Sequence, residues 1–396
     1  MGDILRYILD KHTNKLSVLG MGCMRLPGRL AKPDLAEADR LIMEAIGAGI
    51  NFFDTAYIYP GSENALGYVL DKNKVREKVY IGTKLPLFRC HSYTDFEKHL
   101  AKQLERLKTD YVDYYFMHSV SKPQDWQRLV DMGILKWLAE KRGNGQIRQV
   151  GFSYHGNAED FPILIDAHDW DFCMIQYNYV NVNYQAGEAG LKYAHSKGVP
   201  VFVMEPLLGG QLSHGLPSEA KELFEKATPG TSPASWALRW LWSQPEVTMV
   251  LSGMNKSEQI HENATLSETS QMTDAELKTV AHVANIFAKE YKIPCTGCNY
   301  CLPLCPKKIN IPDSFMAYNA SYSIGRMTGF HQYATTTGGL SKTFSVHDCT
   351  GCAACEKICP QGIEIVRQIG LVKKRMEPWW YRAAMSLARK VMAGRR

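Results

Sequence analysis

Hydrophobic and polar positions alternate along this chain with two periods. Short runs rich in β-branched and aromatic residues recur about every thirty residues, and the longer stretches between them repeat their apolar positions with the helical period. The predicted strands are SVLGMG (17–22), INFFDT (50–55), VYIGTK (79–84), VDYYFMH (112–118), IRQVGFS (147–153), FCMIQY (172–177), VPVFVME (199–205) and VTMVLSG (247–253). Amphipathic segments such as LAEADRLIMEAIGAG (35–49), YTDFEKHLAKQLERLK (93–108) and SPASWALRWLWSQ (232–244) lie between them. This alternation and spacing favour a closed (β/α)8 TIM barrel of the α/β class over an open doubly wound sheet. Ahead of the first strand, LRYILDKHTNKLSVLG reads as a hairpin around a polar turn, suited to closing the bottom of the barrel. After the eighth, a helix at 256–266 and a stretch capped by Thr273, with Glu276 three positions on, complete the first module.

The C-terminal third changes character. Eight of eleven cysteines fall in two similar strings, CTGCNYCLPLCP (295–306) and CTGCAACEKICP (349–360), while Cys23, Cys90 and Cys173 are scattered. That distribution speaks for metal binding and against a disulfide framework. Zinc ribbons use two CxxC pairs, whereas three cysteines at intervals of three and a fourth followed by proline is the ferredoxin run for [4Fe-4S] clusters. In two-cluster ferredoxins the fourth cysteine crosses over. The expected ligand sets are therefore Cys295, Cys298, Cys301 and Cys359 for one cluster, and Cys349, Cys352, Cys355 and Cys305 for the other. Thr296/Gly297 and Thr350/Gly351 offer backbone N–H groups to the cluster sulfurs. Between the strings, IPDSFMAYNASYSIGRM begins as a helix, as in dicluster domains attached to oxidoreductases.

The expected domains are thus a barrel over 1–290, a largely helical dicluster ferredoxin-like domain over 291–370 and a basic amphipathic tail over 371–396. The length of 396 residues accommodates them. The net charge of +6 is local: the tail holds eight Lys/Arg against Glu377, leaving about −1 on the rest. A nucleic-acid groove on the body is disfavoured. PWWYRAAMSLARKVMAGRR suits a solvated or packed tail better than membrane-surface contact. Neither a signal-peptide pattern nor a run of about 18 apolar residues occurs, so a cytoplasmic location is expected.

Three predicted strands in succession end in ionisable residues: Asp54, Lys84 and His118, with Tyr59 in the loop after Asp54. In a barrel those tips share one mouth, where barrel active sites sit. A neighbouring ammonium favours a phenolate, so Lys84 would ease proton donation by Tyr59, Asp54 would hold Lys84 charged, and His118 would position a carbonyl. Hydride at the carbonyl carbon and a proton at its oxygen give an alcohol.

DTAYIY, IGTKL and VDYYFMH resemble, in order and spacing, the Asp/Tyr/Lys/His tetrad of the aldo-keto reductases, and the likeness covers about residues 5–290. It implies a nicotinamide dinucleotide, NADH or NADPH, bound without a complete GxGxxG motif; GMGCMRL lacks the third glycine. It further implies that Ser153 and Gln176 hold the carboxamide, that Gln259 and Asn263 in SGMNKSEQIHENA face the adenosine end, and that Gly22, Glu205 and Ser252 complete the nucleotide contacts. The chain departs from the family at Tyr154, where an asparagine is usual, and at Glu205, where an aromatic stacks on nicotinamide. Gly253 and Gln259 replace the basic pair that grips a 2′-phosphate, which puts strong NADP preference in doubt. Lys256 offers one charge instead.

The function expected is an oxidoreductase acting on a small-molecule carbonyl or alcohol, with clusters that exchange electrons with the site or with a redox partner protein. Nicotinamide moves electrons in pairs and clusters move them singly, and no convincing flavin site joins the two. The alternatives are clusters that only staple the fold, and an electron-transfer or regulatory subunit that uses its barrel as a docking surface.

Overall fold

The protein was analysed as a computed structural model describing residues 6–29, 32–266, 271–323, 325–336 and 345–381. Most of the basic tail, 382–396, lies outside the described residues. The eight predicted strands all form: β1 Leu19–Gly22, β2 Phe52–Asp54, β3 Tyr80–Leu85, β4 Val112–Val120, β5 Ile147–Tyr154, β6 Phe172–Gln176, β7 Val201–Met204 and β8 Val247–Ser252. They are parallel, each pairs with its sequence neighbours, and β8 pairs with β1 to close the barrel.

The run SVLGMG is divided. Ser17 belongs to a hairpin of Tyr7–Leu9 and Lys15–Ser17, pairing with Tyr7, and only Leu19 onward enters the barrel. The hairpin does close the barrel floor. Leu16 packs among the interior side chains, and Asp10 accepts hydrogen bonds from Tyr114 Oη (2.5 Å) and Gln149 Nε2 (2.7 Å) near the starts of β4 and β5. β4 runs two residues beyond its predicted end, because Val120 pairs with Tyr154 after an irregularity at Met117; Ser119 there has φ 58°.

The barrel interior is an aromatic plug of Phe52, Tyr114, Phe116, Phe172 and Phe202 with Met174, Met249 and Leu251. Each such side chain contributes roughly 1.5–3 kcal/mol on burial. Gly151 makes room for it: a β-carbon there would fall 2.3 Å from the Phe172 carbonyl oxygen. Helices Leu35–Gly47, Tyr93–Leu107 and others cover the outside, burying Leu41, Ile42, Phe96 and Leu100 against the strands. Thr273 and Glu276 form the expected cap, with Glu276 Oε2 accepting from Thr273 N at 2.8 Å.

The chain divides into two compact units, 1–206 with 235–277, and 207–234 with 278–396. The segment after β7, which carries helix Ser218–Ala227, thus groups with the C-terminal part, unlike the single cut after 290 that the sequence suggests. The second unit builds its core from Ile293, Ile309, Ile311, Phe315, Tyr318, Val346, Ile363, Ile365, Ile369 and Val372. Helices Ile311–Ser323 and Ile365–Met376 follow the two cysteine strings at the same offset, so the strings head a repeat of 54 residues.

Candidate active site

Asp54 ends β2, Lys84 is the penultimate residue of β3 and His118 lies two residues before the end of β4, and all three are buried. Lys84 Nζ donates to Asp54 Oδ1 at 2.6 Å and to the Thr55 carbonyl at 2.7 Å. It lies 4.8 Å from the centre of the Tyr59 ring and 5.2 Å from that of Phe116. The Tyr59 and His118 rings meet edge to face at 5.9 Å. The barrel mouth therefore gathers the four residues that the strand tips single out. Burial pushes the Asp54 carboxyl up and the Lys84 ammonium down, and each opposes that push by favouring the other's charged form. Burial, then Lys84 and His155, hold His118 well below the usual imidazole range, so it is neutral.

Behind these side chains is a buried network that sequence reasoning missed. Glu63 accepts from Thr83 Oγ1 (2.7 Å), Gln103 Nε2 (3.0 Å) and Arg106 (2.9 Å). Gln103 Nε2 also donates to the Lys84 carbonyl, and Arg106 to that of Tyr57. The network fixes the backbone on both sides of the Lys84–Tyr59 contact. Its signal in the sequence is faint, since a Glu, a Gln and an Arg on helices read as solvent-facing polar positions. His155 was also missed. It follows β5, its N–H donates to the Val120 carbonyl, and its enclosed Nδ1 has no hydrogen-bond partner. Burial, opposed by Gln185 and reinforced by Lys84, pulls it down to about 4.

In the second unit, one small cavity is lined by Cys295, Cys298, Cys301 and Cys359 together, and another by Cys305, Cys349, Cys352 and Cys355. The fourth cysteine of each string thus lies with the first three of the other. Among the described residues no three Cys, His, Asp or Glu side chains converge as a single-ion site requires. Gly297 and Gly351 adopt φ 68° and 73°, the left-handed backbone that glycine takes without strain.

Residues 18–285, more than half of the chain, match the model of the aldo/keto reductase family. The chain belongs to that family. It is an oxidoreductase, and residues 294–364 match a 4Fe-4S dicluster domain. An uncharacterized oxidoreductase of Bacillus subtilis is 24% identical over 67% of this chain and 92% of its own length. L-galactose dehydrogenase of Arabidopsis thaliana is 27% identical over 69% of this chain and 91% of its own. Among solved structures, an aldo-keto reductase of Klebsiella pneumoniae in complex with NADPH aligns with TM-score 0.60 at 19% identity, covering 71% of this chain and 95% of its own.

Compared with the aldo/keto reductase pattern, the implied nucleotide residues are in varied surroundings. Ser153 is buried and its Oγ accepts from Ser119 N at 2.8 Å, leaving the hydroxyl proton to donate. Gln176 ends β6 and is fully buried. Gly22 and Ser252 end the adjacent strands β1 and β8. Glu205 takes a left-handed backbone, φ 55°, and its carbonyl accepts from Asn178 Nδ2 at 3.1 Å. On helix Ser257–Leu266, Asn263 is buried and Gln259 Oε1 accepts from Asn255 N at 2.9 Å, so part of Gln259 serves the local turn. Tyr154 points away from the mouth into the layer between strands and helices, where its hydroxyl donates to Asn157 O at 2.6 Å. Arg40, which bonds Ser257 Oγ at the start of that helix, is already engaged by Glu37 and Glu44. Among the described residues no helix is long and apolar enough to cross a membrane.

Proposed function

We propose that the chain reduces a carbonyl group, or oxidises the matching alcohol, at its barrel mouth with a nicotinamide dinucleotide, and that its second unit holds two [4Fe-4S] clusters for electron transfer. The observation that carries the catalytic half is the buried Lys84–Asp54 pair beneath the Tyr59 ring, with His118 at the ring edge. Asp54 keeps Lys84 charged against a burial that by itself would neutralise it. Lys84 sets a positive charge where negative charge develops as Tyr59 loses its proton. His118 is neutral and offers a hydrogen bond to the substrate oxygen without adding charge. In reduction Tyr59 gives its phenolic proton to that oxygen, and in oxidation the phenolate takes the proton back. Nicotinamide, when bound, supplies or receives the hydride.

Ser153 and Gln176 are proposed to hold the carboxamide, with Gly22, Glu205 and Ser252 along the nucleotide and Gln259 and Asn263 at its adenosine end. The NADPH of the Klebsiella relative supports a nicotinamide ligand. Gly253 and Gln259 lack the paired cations that clamp a 2′-phosphate, which supports NADH use alongside NADPH.

Cys295, Cys298, Cys301 and Cys359 are proposed to hold one cluster and Cys305, Cys349, Cys352 and Cys355 the other. Two cavities with four thiols each, and no point of single-ion convergence among the described residues, support a cluster over zinc. Such groups accept and donate single electrons. Anaerobically purified protein should oxidise NADH or NADPH with simple aldehydes, should lose that turnover in Tyr59→Phe, and should contain about eight irons and eight sulfides per chain. No turnover with any nicotinamide sinks the catalytic half, and iron far below eight sinks the cluster half.

A further inference from the structure

The two halves of the 54-residue repeat share a backbone and differ in what surrounds it. Gly297 and Gly351, Asn299 and Ala353, and Lys308 and Gly362 are matched pairs, all with φ between 51° and 73°. The turn hydrogen bonds also match: Leu302 N to Asn299 O and Glu356 N to Ala353 O are both 3.1 Å. The surroundings break this symmetry. Thr296 is 3% exposed, and the turn Leu208–Gly210 lies on it: a β-carbon at Gly209 would fall 2.1 Å from the Thr296 carbonyl oxygen. Its repeat mate Thr350 is exposed, as are Gly351 and Cys352.

The loops after the fourth cysteines are unequal as well. Cys359 is followed by Pro360, a buried Gln361 and Gly362, whereas Cys305 is followed by Pro306, Lys307 and Lys308, all exposed. Lys308 holds a left-handed backbone where the other half has glycine, so this lysine stands against its conformational preference. Leu304, 45% exposed, lines the same cavity as Lys307, and no carboxylate lines it. Of the acids next to its lining in sequence or contact, Glu364 is engaged by Arg367 at 2.8 Å, Glu356 accepts from Val366 N at 2.8 Å, and Asp348, beside Cys349, is exposed.

We propose that the exposed face formed by Leu304, Lys307, Lys308, Thr350, Gly351 and Cys352 docks an acidic one-electron carrier protein, whereas the loop at Thr296, covered by Leu208–Gly210, does not. The inference rests on the two-cluster reading of this unit. A small apolar contact beside like charges suits a transient redox encounter, in which complementary charge sets the on-rate more than the affinity. In each encounter the carrier loses one electron and one cluster gains it, so two encounters reduce both clusters.

The test uses the cluster-loaded full chain and a small acidic ferredoxin, photochemically reduced, with the visible absorbance of the clusters followed by stopped flow. The double variant Lys307→Glu/Lys308→Glu should slow the second-order rate at least tenfold at low ionic strength and remove its decline with added salt. Lys98→Glu/Lys136→Glu, on exposed positions of the barrel helices, should leave the rate within twofold. Iron content and electron paramagnetic resonance establish that each variant is loaded. If the first pair loses iron, Leu304→Gln replaces it, with a slowing of at least threefold expected. Unchanged rates in loaded variants, or equal slowing by both pairs, overturn the docking face. Absence of clusters from the unaltered protein instead overturns the reading on which it rests.

Discussion

The Lys84 ammonium stands 2.6 Å from the Asp54 carboxylate inside the barrel mouth, and neither side chain is more than a tenth exposed. Removing one member of such a pair leaves an uncompensated buried charge, at a cost of about 3–5 kcal/mol. Asp54→Leu should lower barrel stability by that order in denaturant titrations. The double variant Asp54→Leu/Lys84→Met should recover most of it, because no charge is then stranded, yet remain inactive. Recovery of turnover with stability would remove the pair from the chemistry.

Tyr59→Phe keeps the ring over Lys84 and against His118 and deletes only the hydroxyl. The unfolding midpoint should move by less than the equivalent of about 0.5 kcal/mol, while kcat falls by about 10²–10⁴. A variant that keeps a tenth of the unaltered rate would exclude Tyr59 as the proton donor.

His118 and His155 are both held below the ordinary imidazole value, chiefly by burial. An unfolded histidine takes up a proton near pH 6.5, whereas native His155 does so only near 4. The unfolded chain thus binds more protons between those values, so stability falls as pH drops through that window, by up to about 1.4 kcal/mol per pH unit for His155. Denaturation midpoints at pH 7.0, 6.0 and 5.0 should show this, with a shallower slope in His155→Gln; an identical slope would contradict the assignment. The ratio kcat/KM should stay flat from pH 7 to 6, since His118 remains neutral there.

Gly209 and Gly210 both have positive φ, but only a side chain on Gly209 meets neighbouring backbone. Gly210→Ala should cost the conformational penalty alone, about 1–2 kcal/mol. Gly209→Ala should add about 1–3 kcal/mol of overpacking against Thr296. It should also alter the resonance spectrum of one cluster while leaving the other. Equal behaviour of the two variants in thermal melts and spectra would refute the contact.

The sequence by itself determined the elements and which side chains they bring together. Eight β-rich runs, their order and the ionisable residues at three strand tips follow from local periodicity, and a closed parallel barrel converts those tips into one mouth. The cysteine spacing likewise anticipates the two sets of four thiols that line the two cavities. Tertiary structure decided what periodicity cannot encode. Glu63, Gln103 and Arg106 look like solvent-facing positions until the fold buries them against one another. Ser17 changes from strand one to the hairpin because Leu16 must plug the barrel floor. The stretch 207–234 reads as a barrel loop, yet it groups with the second unit, where Gly209 covers Thr296 and leaves Thr350 bare. A repeated cysteine string cannot state which half is covered, because cover comes from residues distant in the chain.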